Sequence, residues 1–92
     1  MADKKVTVTI SGSISVNPDP ITLRVNNDKA KWESDGTPFA IVLPAGLPTP
    51  SCGTQGSKYI CTSQTFSTVG TVKYTVTSPG IPDLDPEADI VP

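Results

Sequence analysis

Two cysteines, nine carboxylates, one tryptophan and two tyrosines are the side chains of this 92-residue chain with chemistry to offer, and histidine is absent. Without imidazole, His-based proton transfer, Ser-His-Asp and Cys-His nucleophiles and most transition-metal sites fall away together. The chain therefore reads as a non-enzyme without a cofactor. Cys52 and Cys61 bracket a polar, glycine-rich stretch, and closing so short a loop would stabilise the fold by about 2 to 3 kcal/mol. A disulfide is the expectation for cysteines that bracket such a loop, with free thiols as the alternative, and a Cys-only metal site is not expected because two thiolates do not fill a tetrahedral zinc site. Asp83, Asp85, Glu87 and Asp89 recur with period two, so an extended backbone would set four carboxylates on one side and interest a hard cation such as calcium. Pro82 and Pro86 favour a plain solvated loop instead. Trp32 and Tyr59 are the aromatics to which a sugar ring could be stacked, although a lone Trp is most simply the largest piece of a core.

The elements that must position these residues are strands. Val, Ile and Thr make up 28 of the 92 residues, and β-branched side chains favour pleated backbone. Ten prolines and seven glycines are spread along the chain as turn punctuation. One all-β domain spanning 1–92 is expected, of about seven strands in a Greek-key sandwich or barrel. A net charge of −2 gives no reason to invoke nucleic acid or a membrane surface. The start, MADKKVTVTI, lacks the apolar core of a secretory signal, so the cytoplasm is expected for the chain as written and the periplasm or exterior if a leader was removed.

In chain order, Val6, Val8, Ile10, Ile14 and Val16 all fall on even positions, which predicts one long strand bent at Gly12, with a hairpin tipped by Gly12 as the alternative. Ile21, Leu23 and Val25 mark a second strand. Ala30 and Trp32 point inward on a third, between Lys29, Lys31 and Glu33. The unbroken run Phe39 to Leu43 predicts a strand buried on both faces. Leu43 to Thr62 reads as a long loop with room for one helical turn, Gln64 to Ser67 as a short strand through Phe66, and Val72, Tyr74 and Val76 as the last long alternating face.

The order of these elements from Val16 to Val91 resembles the cupredoxins, the small blue copper proteins. Pro38-Phe39-Ala40-Ile41-Val42 is similar to that family's Pro-His-x-Ile/Val-Val. The segment from Phe66 through Gly70-Thr71-Val72-Lys73-Tyr74-Thr75-Val76-Thr77-Ser78-Pro79-Gly80-Ile81 is similar to its Phe-x3-Gly-Thr-x-x-Tyr/Phe-x-Cys-x-x-Pro-Gly-His. Phe39, Val76 and Ile81 stand where the resemblance places two histidines and a cysteine, no methionine occurs near Leu84 to Pro86, and Asp89-Ile90-Val91 is similar to the family's closing strand. A blue copper site needs two imidazoles and a thiolate in one plane. The resemblance thus implies a cupredoxin-like sandwich that binds no copper, against an immunoglobulin-like sandwich as the competing topology.

Function is then expected from a surface: a binding or structural module with a protein or glycan partner, working through loops at the end of the sandwich. A carbohydrate- or cation-binding module using Trp32, Tyr59, Asp83, Asp85 or Glu87 is the second expectation. A monomer is expected, with Lys4 and Lys5 guarding an edge strand that begins there.

Overall fold

The computed structural model describes residues 2–92, with side chains from Asp3 onward. The described residues form no helix. Their strands are β1 (Ala2–Ile10), β2 (Ile14–Asn17), β3 (Ile21–Arg24), β4 (Asp28–Ser34), β5 (Ala40–Val42), β6 (Ser51–Gln55), β7 (Lys58–Thr62), β8 (Gly70–Lys73), β9 (Thr75–Ser78), β10 (Ile81–Leu84) and β11 (Glu87–Val91). One sheet has the order β2-β1-β4-β7-β6, and two three-stranded sheets, β10-β9-β5 and β3-β11-β8, complete the β-sandwich.

Alternation along each strand decides which side chains enter the core. On the five-stranded sheet, β1 runs parallel to β4 with Val6 opposite Trp32, and β7 runs antiparallel to β4 with Cys61 opposite Trp32. Val6, Trp32 and Cys61 thus form one inward row, each no more than 1% exposed. Facing them, Ile90 pairs with Leu23 where β11 runs parallel to β3, and Val76 pairs with Ile41 where β9 runs antiparallel to β5. Burying each such aliphatic side chain is worth about 1.5 to 3 kcal/mol.

Several expectations are corrected. The backbone reverses at Ser11-Gly12-Ser13 to make a hairpin, Ile10 pairing with Ile14. Gly12 sits there at φ 80°, a left-handed conformation that glycine adopts without steric cost. An even-position pattern survives a hairpin with a three-residue loop as well as it survives a bend, so periodicity alone did not separate the two. In the run 39–43, Phe39 and Ile41 are buried but Ala40 is exposed and Val42 is 53% exposed. This strand lies at the edge of its sheet with one face in water, so it is half-buried. Residues 64–67 form no strand, although Phe66 is buried and its carbonyl accepts the Asn26 amide at 2.7 Å.

The stretch expected as a loop with a helical turn holds the β6–β7 hairpin, paired without a break from Ser51↔Thr62 to Gln55↔Lys58. The last alternating face is two strands in different sheets. At Tyr74 the chain leaves the β8 ladder for that of β9, and its amide donates to the Pro86 carbonyl at 3.0 Å, where β10 gives way to β11. Eleven strands in place of about seven follow from these reversals and crossings. The acidic stretch contributes to β10 and β11 and is not a free loop, with Pro86 buried beneath it.

Finally, β1 is flanked by β4 along Ala2–Thr7 but by β2 only along Thr7–Ile10. Lys4 and Lys5 therefore lie on an open stretch of its edge. Lys5 and Lys58 flank Glu33 on the outer face, each 3.8 Å from its carboxylate.

Candidate functional site

The positions that the copper-protein resemblance singles out lie around one end of the β10-β9-β5 sheet. Phe39 immediately precedes β5, Val76 is central in β9, and Ile81 opens β10. Val76 pairs with Ile41 on one side and Leu84 on the other, while Ile81 pairs with Ser78. Phe39 and Val76 are 4% and 0% exposed, and Ile81 is half-buried. Ser78 is the polar residue among them. Its hydroxyl donates to the Pro38 carbonyl at 2.9 Å and ties the end of β9 to the entry of β5. This residue was missed in the sequence, where the signal was a serine at the even position continuing Val72, Tyr74 and Val76.

Phenylalanine, valine and isoleucine carry no lone-pair donor, so these positions do not fit copper. What they do is fill the end of the core. Phe39 meets Tyr59 edge-on, ring centroids 5.4 Å apart at 70°, a favoured aromatic arrangement. The Cys61 sulfur lies 3.9 Å from the Phe39 carbonyl oxygen. Cys52 and Cys61 form a disulfide across the β6–β7 hairpin, as expected; Cys61 is fully buried and Cys52 exposed. Beside this cluster, Pro38, Phe39, Ala40, Thr77, Ser78 and Pro79 line a shallow, open, mostly apolar depression of about 430 Å³.

Trp32 is core and not surface. It is 1% exposed and packs against Tyr74 at 5.2 Å with a 59° tilt, so it offers no face to a sugar. Its indole nitrogen and the Tyr74 hydroxyl are buried without a hydrogen-bond partner among the described residues. Burial pushes the Tyr74 phenol up from its usual range; the nearby Trp32 N–H opposes this, and the charge of Asp19 adds to it. Tyr59 is half-buried against Phe39.

The acidic residues are placed separately. Asp85 accepts the Thr75 hydroxyl at 2.8 Å and Asp89 the Thr71 hydroxyl at 3.2 Å, while the Glu87 amide donates to Asp19 at 3.1 Å. Asp83 is exposed on β10. Among the described residues, no three His, Cys, Asp or Glu side chains gather as a metal site. Asp28, the first residue of β4, is buried and accepts the Arg24 amide and the Asn27 side-chain amide, each at 2.9 Å. The Arg24 amide chiefly holds its carboxyl below the usual range, against the opposing effect of burial.

No family model matches this chain, and no curated protein matches it in sequence. Among solved structures, the chain is similar to a cysteine protease inhibitor from Entamoeba histolytica, with a TM-score of 0.57 and 17% identity over 97% of this chain and 95% of the inhibitor. At that identity the likeness is one of fold.

Proposed function

We propose that this chain is a non-catalytic, protein-binding module on a cupredoxin-like sandwich, and that its binding surface is the apolar end around Phe39 and Pro79. The observation that carries the reading is the open, mostly apolar depression of about 430 Å³ lined by Pro38, Phe39, Ala40, Thr77, Ser78 and Pro79, with the Ser78 hydroxyl tying the end of β9 to Pro38. Hydrocarbon fills the positions that resemble copper ligands, and what remains at that end is a surface. Two parallel pairings, β1 with β4 and β11 with β3, support the cupredoxin-like topology over an immunoglobulin-like one, whose sheets are antiparallel.

A protein partner is also in keeping with the Entamoeba histolytica protein of similar fold, which is a cysteine protease inhibitor. The disulfide suits an oxidising compartment. No helix among the described residues is long and apolar enough to cross a membrane.

The test is affinity capture from the protein's own host with wild type, Ala40→Asp and Thr22→Asp. Both substituted positions are exposed, so the variants should fold, and only Ala40 lines the depression. A partner held by wild type and Thr22→Asp but lost by Ala40→Asp is expected. A partner held equally by all three would place binding elsewhere.

A further inference from the structure

The outer edge of β6 differs from the other sheet edges among the described residues. At those edges β2 lies against β10, the part of β1 before Thr7 carries Lys4 and Lys5, β3 carries Arg24, β8 carries Lys73, β5 has three residues, and β10 has Pro82, Asp83 and a register shift. Charges, prolines, shortness and bulges are the devices that keep a sheet edge from pairing with another chain. In Ser51-Cys52-Gly53-Thr54-Gln55 there is no charge, no proline and no bulge, and all five residues are exposed.

The hairpin geometry says which backbone groups are free. Cys52 and Cys61 are directly opposite with Cα atoms 4.0 Å apart. That close spacing marks a pair without mutual backbone bonds, since such pairs lie near 4.5 Å and bonded ones near 5.5 Å. The N–H and C=O of Cys52, and by alternation those of Thr54, therefore point away from β7 toward the open edge. The disulfide holds this row in place on its neighbour.

We propose that β6 pairs antiparallel with β6 of a second copy of this chain, across a twofold axis at Gly53, so that two five-stranded sheets become continuous. In this register Cys52 and the partner's Thr54 exchange two backbone hydrogen bonds, and the symmetric pair exchanges two more. Gly53 meets the partner's Gly53 at the closest approach of the strands, where neither has a side chain to obstruct it, and Ser51 faces the partner's Gln55. No like charges oppose each other, since β6 carries no charged residue. A second copy is favoured as the occupant because β6 is uncharged and has glycine at its centre, so pairing with itself brings no clash and no like charges together and requires only register. So short a contact gives a weak dimer. The inference is independent of the binding surface proposed around Phe39.

Sedimentation velocity over a concentration series tests it, with Thr54→Pro and Gly53→Glu as variants and far-UV circular dichroism to verify the fold. Thr54→Pro removes a donor that β7 does not use. A Cβ at Gly53 meets nothing within 4 Å in the monomer, but Gly53→Glu sets two carboxylates face to face in the dimer. The expected result is concentration-dependent dimerisation of the wild type, weakened about tenfold or more in each folded variant. Wild type sedimenting as a monomer up to millimolar concentration would overturn the proposal. So would a dimer unaffected by Gly53→Glu.

Discussion

The hydroxyl of Ser78 donates to the carbonyl oxygen of Pro38 at 2.9 Å, joining residues 40 apart in sequence. This bond fixes where β5 enters its sheet beside β9, and so where Phe39 meets the core. Ser78→Ala is expected to lower stability by about 1 kcal/mol, the usual net worth of one such bond, or roughly 4 to 8 °C in Tm for a domain of this size. Thermal unfolding measures it, and an unchanged Tm would show that packing alone places Phe39.

Tyr74→Phe should leave stability unchanged or raise it. The Tyr74 hydroxyl is buried without a partner among the described residues, and an unsatisfied buried polar group costs about 1 to 3 kcal/mol. The phenol's pKa is raised by burial, so the folded state resists its ionisation. Its contribution is fully present below the unfolded phenol's pKa near 10 and is lost as pH rises beyond it. Urea unfolding from pH 8 to 11 should therefore show wild type losing stability at the alkaline end more steeply than Tyr74→Phe. Parallel curves, or a variant about 1 kcal/mol or more weaker at neutral pH, would show that the hydroxyl is satisfied.

Removing the disulfide should loosen the hairpin without changing the fold. The Cys52–Cys61 bond closes a short loop, and its loss in Cys52→Ser/Cys61→Ala is expected to cost about 2 to 3 kcal/mol by the chain-entropy relation. Hydrogen exchange should rise first at β6, whose residues are all exposed, while the Val6–Trp32 row stays protected. Uniform acceleration across the sandwich would show that the hairpin unfolds with the core.

The copper-protein resemblance can be tested by restoring its ligands. Phe39→His, Val76→Cys and Ile81→His, made together with Cys52→Ser and Cys61→Ser, should yield a protein that takes up Cu(II) with an intense thiolate charge-transfer band. Each new polar group enters a buried or half-buried position, so the apo variant should lose roughly 1 to 3 kcal/mol per unsatisfied group and regain part of it with metal. A folded variant that binds no copper would reduce the resemblance to strand alternation.

Residue type and two-residue periodicity were enough to determine the all-β class, the inward row of Val6, Val8, Ile14, Ala30 and Trp32, and the solvent-facing lysines beside them. These follow from a local rule: consecutive side chains of a strand point to opposite faces, and apolar ones are driven inward. The pairing of Cys52 with Cys61 was legible for a similar reason, being a short-range closure. Partners, unlike faces, were decided by tertiary structure. Periodicity alone did not tell a bend at Gly12 from a hairpin, because the even pattern fits both. The stretch Ser51–Gln55 has little intrinsic strand preference and is a strand because β7 and the disulfide hold it there, in keeping with the dependence of β-propensity on neighbours. The continuous alternation from Val72 to Val76 hides the step between two sheets at Tyr74, which depends on the Pro86 carbonyl twelve residues later. Ser78 and Asp28 look like ordinary polar residues of a strand and a turn until the chain folds; Ser78 then lies against Pro38, and the buried Asp28 carboxylate caps the Arg24 amide. Sheet partners and buried polar contacts join segments distant in sequence, and no local pattern carries that information.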